Sequence, residues 1–412
     1  MKQSGFEQDF IGFDEAFRLA IGNVPLCPEE ACPTHRALFR IASRPIKAKV
    51  DSPSADSSIK DGYAVQSFDV ATATISSPIE LKLVGALGAG ESPKMAVVPG
   101  TALRILSGAV IPNGADAVVT EEFTYSNGAI VKVFADAHPG RNILVRGTDV
   151  KAGEIIVGSG ERITPAKVAV LVAGGVNEVW VFCAPRVGLL ATGDEVLLPG
   201  KPIKEGGLYA SNIALQEAWL KSFGLSCLIG ACGDSSQQLV SEIESTLGHV
   251  DTMITSGGAW SGDRDIVVKT LRQIGWRPLF NRVRMGPGKA VGMGTLKGKP
   301  VFCLPGGPPS NEMAFFMIVL PSILRMYGYT RPPFPEFYGR LTHKISGQSD
   351  WTQFVHCRVS RQNFEFYLTP LDMSRRLSAM GLTEAIVKIP EGVEILEAQA
   401  LVPFTMLDAG NI

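Results

Sequence analysis

The sequence predicts a multidomain α/β fold: a doubly wound α/β domain, N-terminal β-rich domains and a small C-terminal β domain. Three observations predict it. After Pro185, apolar runs alternate with amphipathic helical stretches, the pattern of a mostly parallel sheet covered on both faces. From about Asp51 to Lys151 the chain carries short β-branched runs broken by Gly, Pro and Asn at the spacing of roughly 8–12 residues that β structure gives. After Arg331-Pro332-Pro333 the short-strand texture returns and holds to the end.

Each element has a local reason. Phe13, Phe17 and Ala20 or Ile21 lie at helical spacing in FDEAFRLAIG, and Asn-Val-Pro closes the segment, so residues 1–24 hold an opening helix that packs on the α/β domain. Residues 25–50 and 152–182 form a linker α/β domain. Its helix starts at a Thr164 cap with Pro165 in the first turn and stops at glycine. Between the two halves of the linker sits the β domain, residues 51–151. Residues 183–330 make the doubly wound domain, with strands RVGLLAT, LSCLIGAC and DTMITS each followed by a loop and a helix. Residues 331–412 make the C-terminal β domain.

Composition narrows the function. A chain of 412 residues that is 45% hydrophobic has material for more than one core, and two to four domains are expected. Its 39 basic and 40 acidic residues leave a net charge of −1, so neither nucleic acid nor a membrane is an expected partner and any anionic ligand must be gripped locally. No signal-peptide pattern opens the sequence and no stretch reaches the length of a membrane span, so the expected location is the cytoplasm. The seven cysteines sit mostly in apolar runs and read as reduced, buried thiols. Cys27/Cys32 and Cys227/Cys232 are spaced as zinc ligands can be, but no Cys-x2-Cys pair or histidine doublet supports such a site.

In doubly wound sheets ligands bind at the carboxyl ends of strands, which singles out the residues after each apolar run. Thr192-Gly193-Asp194-Glu195 places two carboxylates there, costly to bury without a cation or donors, and a polar turn explains them equally well. Asp234 ends the next strand. Ser256-Gly257-Gly258, with Asp263 and Asp265 beyond, offers close main-chain approach for an anion, or a tight turn with an aspartate cap. Arg282, Arg284 and Lys289 surround a Gly-Pro loop, a cradle for an oxyanion or a solvated basic loop. Pro305-Gly306-Gly307-Pro308 follows another strand. No Gly-x-Ser-x-Gly elbow, His-Glu-x-x-His, full P-loop or helix-opening Gly-x-Gly-x-x-Gly is present, and five histidines do not suggest imidazole chemistry.

Taken in order, DSSIKDGYAV (56–65), RILSGAVIPNGADAVVTEE (104–122), GRNILVRGTDV (140–150), ATGDEVLLPG (191–200), YASN (209–212), TSGGAWSGDRD (255–265), PGK (287–289) and PGGPPS (305–310) resemble the molybdopterin molybdenumtransferase family, the MoeA and gephyrin E-domain type. The match spans almost the whole chain, which makes it far more specific than any single motif. The resemblance implies residues 183–330 as a molybdopterin-binding domain and an L-shaped homodimer with its cleft shared between subunits. It implies conversion of adenylylated molybdopterin and molybdate, with Mg2+, to molybdenum cofactor and AMP. It further implies a molybdopterin adenylyltransferase as upstream donor and molybdoenzyme maturation factors as later partners.

Carried over by motif position, the catalytic candidates are Asp56, Ser107, Asp149, Glu195 and Lys289. Ligand contacts fall to Thr192, Gly193, Asp194, Ser256, Gly257, Gly258, Asp265, Pro305, Pro308 and Ser310, and cation contacts to Asp194, Glu195 and Asp234. Asp56, Ser107 and Asp149 would come from the other subunit. Lys289 and Ser310 would lie nearest the oxyanion. Departures from the family pattern fall on the anion-handling side: Ile59-Lys60 for Ala-Met, Leu144 for an arginine, Gly286 for a lysine or arginine, Gly307 for asparagine, and Asp350-Trp351 for Gly-Arg. They motivate a second reading, a noncatalytic molybdopterin-binding carrier or scaffold with a degenerate molybdate site.

Overall fold

The computed structural model describes residues 10–257 and 266–407, arranged as two compact units. One comprises Met1–Glu29 with Phe182–Ile412, the other Glu30–Val181.

The first unit is built on a six-stranded sheet in the order Ser226–Cys232, Arg186–Thr192, Thr252–Ser256, Lys299–Leu304, Gly292–Leu296, Arg277–Phe280. The first four strands run parallel and the last two antiparallel. Burial on both faces explains the unbroken apolar runs of the central strands: Val187, Leu189, Leu190, Met253, Ile254, Val301 and Phe302 are fully enclosed. Helices Ser236–Leu247 and Ile266–Gln273 pack together and close a core around Leu239, Ile243, Leu247, Val267 and Leu271. Helix Ser211–Ser222 packs instead against Pro308–Ala314, which runs on through a π-helical turn, Phe315–Val319, into Leu320–Met326.

The C-terminal strands close on themselves. Thr352–Gln362, Glu365–Pro370, Glu336–Leu341, Leu401–Met406 and Ala385–Ile389 pair in that sequence, and the last returns to the first. Leu341, Cys357, Leu368, Val387 and Phe404 fill the interior. Two further strands extend this sheet, Val283–Gly286 against Thr352-Gln353 and Ile11–Gly12 against Val283-Arg284, all parallel. Residues 282–289, read from sequence as a basic loop, thus begin as a strand that ties the α/β sheet region to the C-terminal barrel. A strand of four residues carries too little alternation to be read without its partner. Arg284 belongs to this seam: it donates to the Phe10 carbonyl at 2.8 Å and faces Glu391 at 3.5 Å. The opening helix forms over Phe13–Gly22 and presents Phe13 to Phe354.

The second unit holds a six-stranded sheet in the order Ala117–Thr120, Gly62–Val65, Thr101–Ile105, Ile79–Leu87, Ile130–Val133, Thr124–Ser126. Cores lie on both of its faces, one around Tyr63, Val65, Val119 and Val131, the other around Ala64, Leu103, Ile105 and Val118. The linker helix forms over Pro165–Ala173, its Thr164 hydroxyl accepting from the Lys167 amide at 3.4 Å and Gly174 at its end.

Candidate functional site

Four loops at the carboxyl ends of the parallel strands enclose a cavity of about 770 Å³. Thr192 ends strand Arg186–Thr192 and Gly193 follows it, Asp234 lies in the loop after Ser226–Cys232, Ser256 ends Thr252–Ser256 with Gly257 next, and Pro308 opens the helix reached by the loop after Lys299–Leu304. Adjacent parallel strands end at the same level, so residues distant in sequence converge there.

Gly257 shows how tightly these loops approach. Its φ of +112° is open to glycine, and a Cβ built on it would sit 2.6 Å from the Thr192 carbonyl oxygen. A buried polar network fixes the loops from below. Asn311 Nδ2 donates to Ser256 Oγ at 3.0 Å and to the Pro305 carbonyl at 2.8 Å, while its Oδ1 accepts from Gln216 at 2.7 Å. Asn212 Nδ2 donates to the same Ser256 hydroxyl at 3.2 Å and to the Gly306 carbonyl at 2.9 Å. Sequence reasoning missed Asn212, Gln216 and Asn311. The first lies inside the YASN segment and the last adjoins Ser310, but a lone amide on a helix carries no signal until its partners are known. Pro305 is therefore a backbone acceptor rather than a wall of the cavity.

The cavity is acidic. Glu195 and Asp234 line it, and Asp194 stands behind, its Oδ1 accepting the Asp234 amide at 2.9 Å. Desolvation and the charges of Asp194 and Glu195 raise the Asp234 carboxyl above its ordinary range. Crowded carboxylates at the mouth of a cavity suit a divalent cation. No three His, Cys, Asp or Glu among the described residues are grouped so as to hold one unaided. Magnesium commonly takes one or two carboxylates and completes its shell with water and substrate oxygens, and this donor set fits that pattern.

A second cavity of about 470 Å³ opens across the start of helix Pro308–Ala314. Lys289 and Ser310 line it with Trp351 and Gln353, whereas Arg282 and Arg284 do not. Gly288 lets the loop press on the helix, for at its φ of +117° a Cβ would meet the Ser310 carbonyl at 3.2 Å. Pro308 faces the first cavity and Ser310 the second, so one helical turn separates them.

Asp56, Ser107 and Asp149 lie in the other compact unit, all exposed. Asp56 Oδ1 accepts the Arg146 amide at 2.8 Å, and the Asp149 amide donates to the Ser52 carbonyl at 3.0 Å. The Ser107 amide is held by Asp61 Oδ1 at 2.6 Å and Gly108 by the Ser58 carbonyl at 2.7 Å. The short pair Ser57–Ser58 with Ile143–Leu144 adjoins Asp56 and, through Gly108, Ser107, whereas Asp149 is held by Ser52. Gly258 and Asp265, with the cap proposed at Asp263 or Asp265, lie outside the described residues. All seven cysteines are free thiols, and burial pushes that of Cys27 up to about 12.

A parallel sheet with a glycine-rich, carboxylate-bearing cavity at its switch point, joined to a barrel beside a second cavity, defines a multidomain α/β protein of a ligand-binding class. Residues 11–175 match the model of the MoeA N-terminal region (domain I and II), residues 188–325 that of the "probable molybdopterin binding domain", and residues 338–407 that of the MoeA C-terminal region (domain IV). A molybdopterin molybdenumtransferase of Nostoc sp. is 31% identical over 308 residues, covering 74% of this chain and 71% of the relative. One from Bacillus subtilis is 29% identical over 382 residues, 91% of this chain and 89% of the relative. The crystal structure of a molybdopterin biosynthesis MoeA protein from Pyrococcus horikoshii superposes with a TM-score of 0.85 at 30% identity, covering 97% of this chain and 100% of that one. The chain belongs to the molybdopterin molybdenumtransferase family, whose members are transferases of molybdenum cofactor biosynthesis.

Proposed function

We propose that this protein converts adenylylated molybdopterin and molybdate to molybdenum cofactor and AMP. The observation that supports it most directly is the pair of cavities divided by one helical turn, the larger acidic and the smaller bearing Lys289 and Ser310. The pterin occupies the larger cavity, with Ser256, Gly257 and Pro308 against it. Molybdate occupies the smaller, where an ammonium and a hydroxyl take an oxyanion. One or two of the carboxylates Asp194, Glu195 and Asp234, with water and substrate oxygens, would hold Mg2+, which when bound supplies charge neutralisation for the phosphoanhydride.

The active form in this reading is a cytoplasmic homodimer, with Asp56, Ser107 and Asp149 of the partner subunit completing the site. A molybdopterin adenylyltransferase supplies the substrate, and maturation factors of molybdoenzymes take the product. The test is cofactor formation by the parent and by Asp194→Ala and Glu195→Ala at limiting magnesium. These residues follow the buried strand without forming it, so both variants should fold and lose activity at low magnesium, with partial recovery as magnesium rises. Equal rates for parent and variants would remove the carboxylates from the reaction.

A further inference from the structure

The larger cavity is not walled by the α/β domain alone. The short helix Arg376–Met380 of the C-terminal barrel region packs against Pro308–Ala314 and brings Arg376 and Leu377 to the cavity's edge. Arg376 is the only cation among the described residues that line it, where Glu195 and Asp234 are the acidic ones. Its Nη1 lies 3.8 Å from the position a Cβ of Gly307 would occupy, so the guanidinium rests over the Gly306-Gly307-Pro308 wall. The residue is exposed and makes no ion pair with any described residue. A guanidinium in this place is not spent on holding the fold.

The charge balance says what it meets. Without magnesium, a phosphorylated ligand entering a cavity edged by carboxylates is repelled unless its anionic group meets a cation of the protein. A planar guanidinium takes two phosphate oxygens at once, and Leu377 beside it offers an apolar surface to the rest of the ligand. We propose that Arg376 is the phosphate-recognising residue of the larger cavity, so that the C-terminal barrel selects phosphorylated over dephosphorylated pterin. This rests on the pterin reading above and adds to it a residue outside the matching stretches quoted from the sequence. Molybdate is also a tetrahedral oxyanion, but it has the Lys289 cavity, and Arg376 does not line that one.

The test uses the full-length chain, R376Q and R376K, without magnesium and under anaerobic conditions. Affinities are measured for molybdopterin, for phosphatase-treated molybdopterin and for molybdate alone. The expected result is that R376Q weakens molybdopterin binding by about tenfold and removes most of its salt dependence, with R376K between it and the parent. Binding of the dephosphorylated pterin and of molybdate should stay unchanged. Equal loss for both pterins, or no loss for either, overturns the assignment while leaving the pterin reading intact. A drop in molybdate affinity moves Arg376 to the oxyanion and overturns the phosphate role. A parent that binds neither pterin overturns the pterin reading and this inference with it.

Discussion

At the scale of single residues, the loops of the larger cavity meet at the Ser256 hydroxyl, which accepts from Asn212 and Asn311. Thr192-Gly193-Asp194-Glu195, Asp234 and Ser256-Gly257 were legible because each follows an apolar strand, and strand ends in a parallel sheet converge. Asn212, Gln216 and Asn311, which anchor those loops through Ser256, are identifiable only once the helices are placed. Arg376 was invisible for the same reason, since it reaches the cavity from a different domain. The smaller cavity offers a direct residue-scale test. Gly286 lines it, where the family pattern has a lysine or arginine, and a Cβ there meets nothing nearer than Gln353 at 3.8 Å. Gly286→Lys therefore has room and adds a cation beside Lys289. One charge-assisted contact contributes about 1.5–3 kcal/mol, so molybdate affinity should rise by roughly one to two factors of ten. Calorimetry should find pterin affinity unchanged. A parent already saturating at low molybdate, with no gain in the variant, would show that Lys289 and Ser310 suffice.

At the scale of elements, the strand-loop-helix rhythm of the α/β domain and the short strands of the barrel were readable because their patterns are local. The strand Val283–Gly286 and the strand Ile11–Gly12 were not, because their pairing is set by partners about seventy and over two hundred and seventy residues away. The join they make is reinforced by one buried contact: His356 Nε2 lies 2.8 Å from Glu312 Oε2, with side chains 1% and 5% exposed. Glu312 is on the helix that separates the two cavities and His356 is on the barrel strand beside the smaller one. Removing one partner of a buried polar pair leaves the other unsatisfied. His356→Ala should lose on the order of 3 kcal/mol in urea unfolding. Glu312→Gln, which can still hydrogen-bond, should lose less. A change of under about 1 kcal/mol in His356→Ala would mean the helix is positioned by apolar packing alone.

At the scale of the whole molecule, the division of labour follows from where each candidate lies. Asp56, Ser107 and Asp149 are on one compact unit and the two cavities on the other, and the proposed homodimer unites them in a shared cleft. Mixing Asp56→Ala with Glu195→Ala should then restore part of the activity, since one hybrid site of each mixed dimer has neither change. No recovery after verified subunit exchange would place the cleft within one chain. Under the proposed function, the altered anion-handling positions still leave an enzyme rather than a carrier. It is tested most directly by quantifying AMP after molybdate and magnesium are added to the purified protein loaded with adenylylated molybdopterin. An enzyme releases AMP in step with molybdenum cofactor, one for one. Tight retention of the adenylylated pterin with no AMP would contradict it.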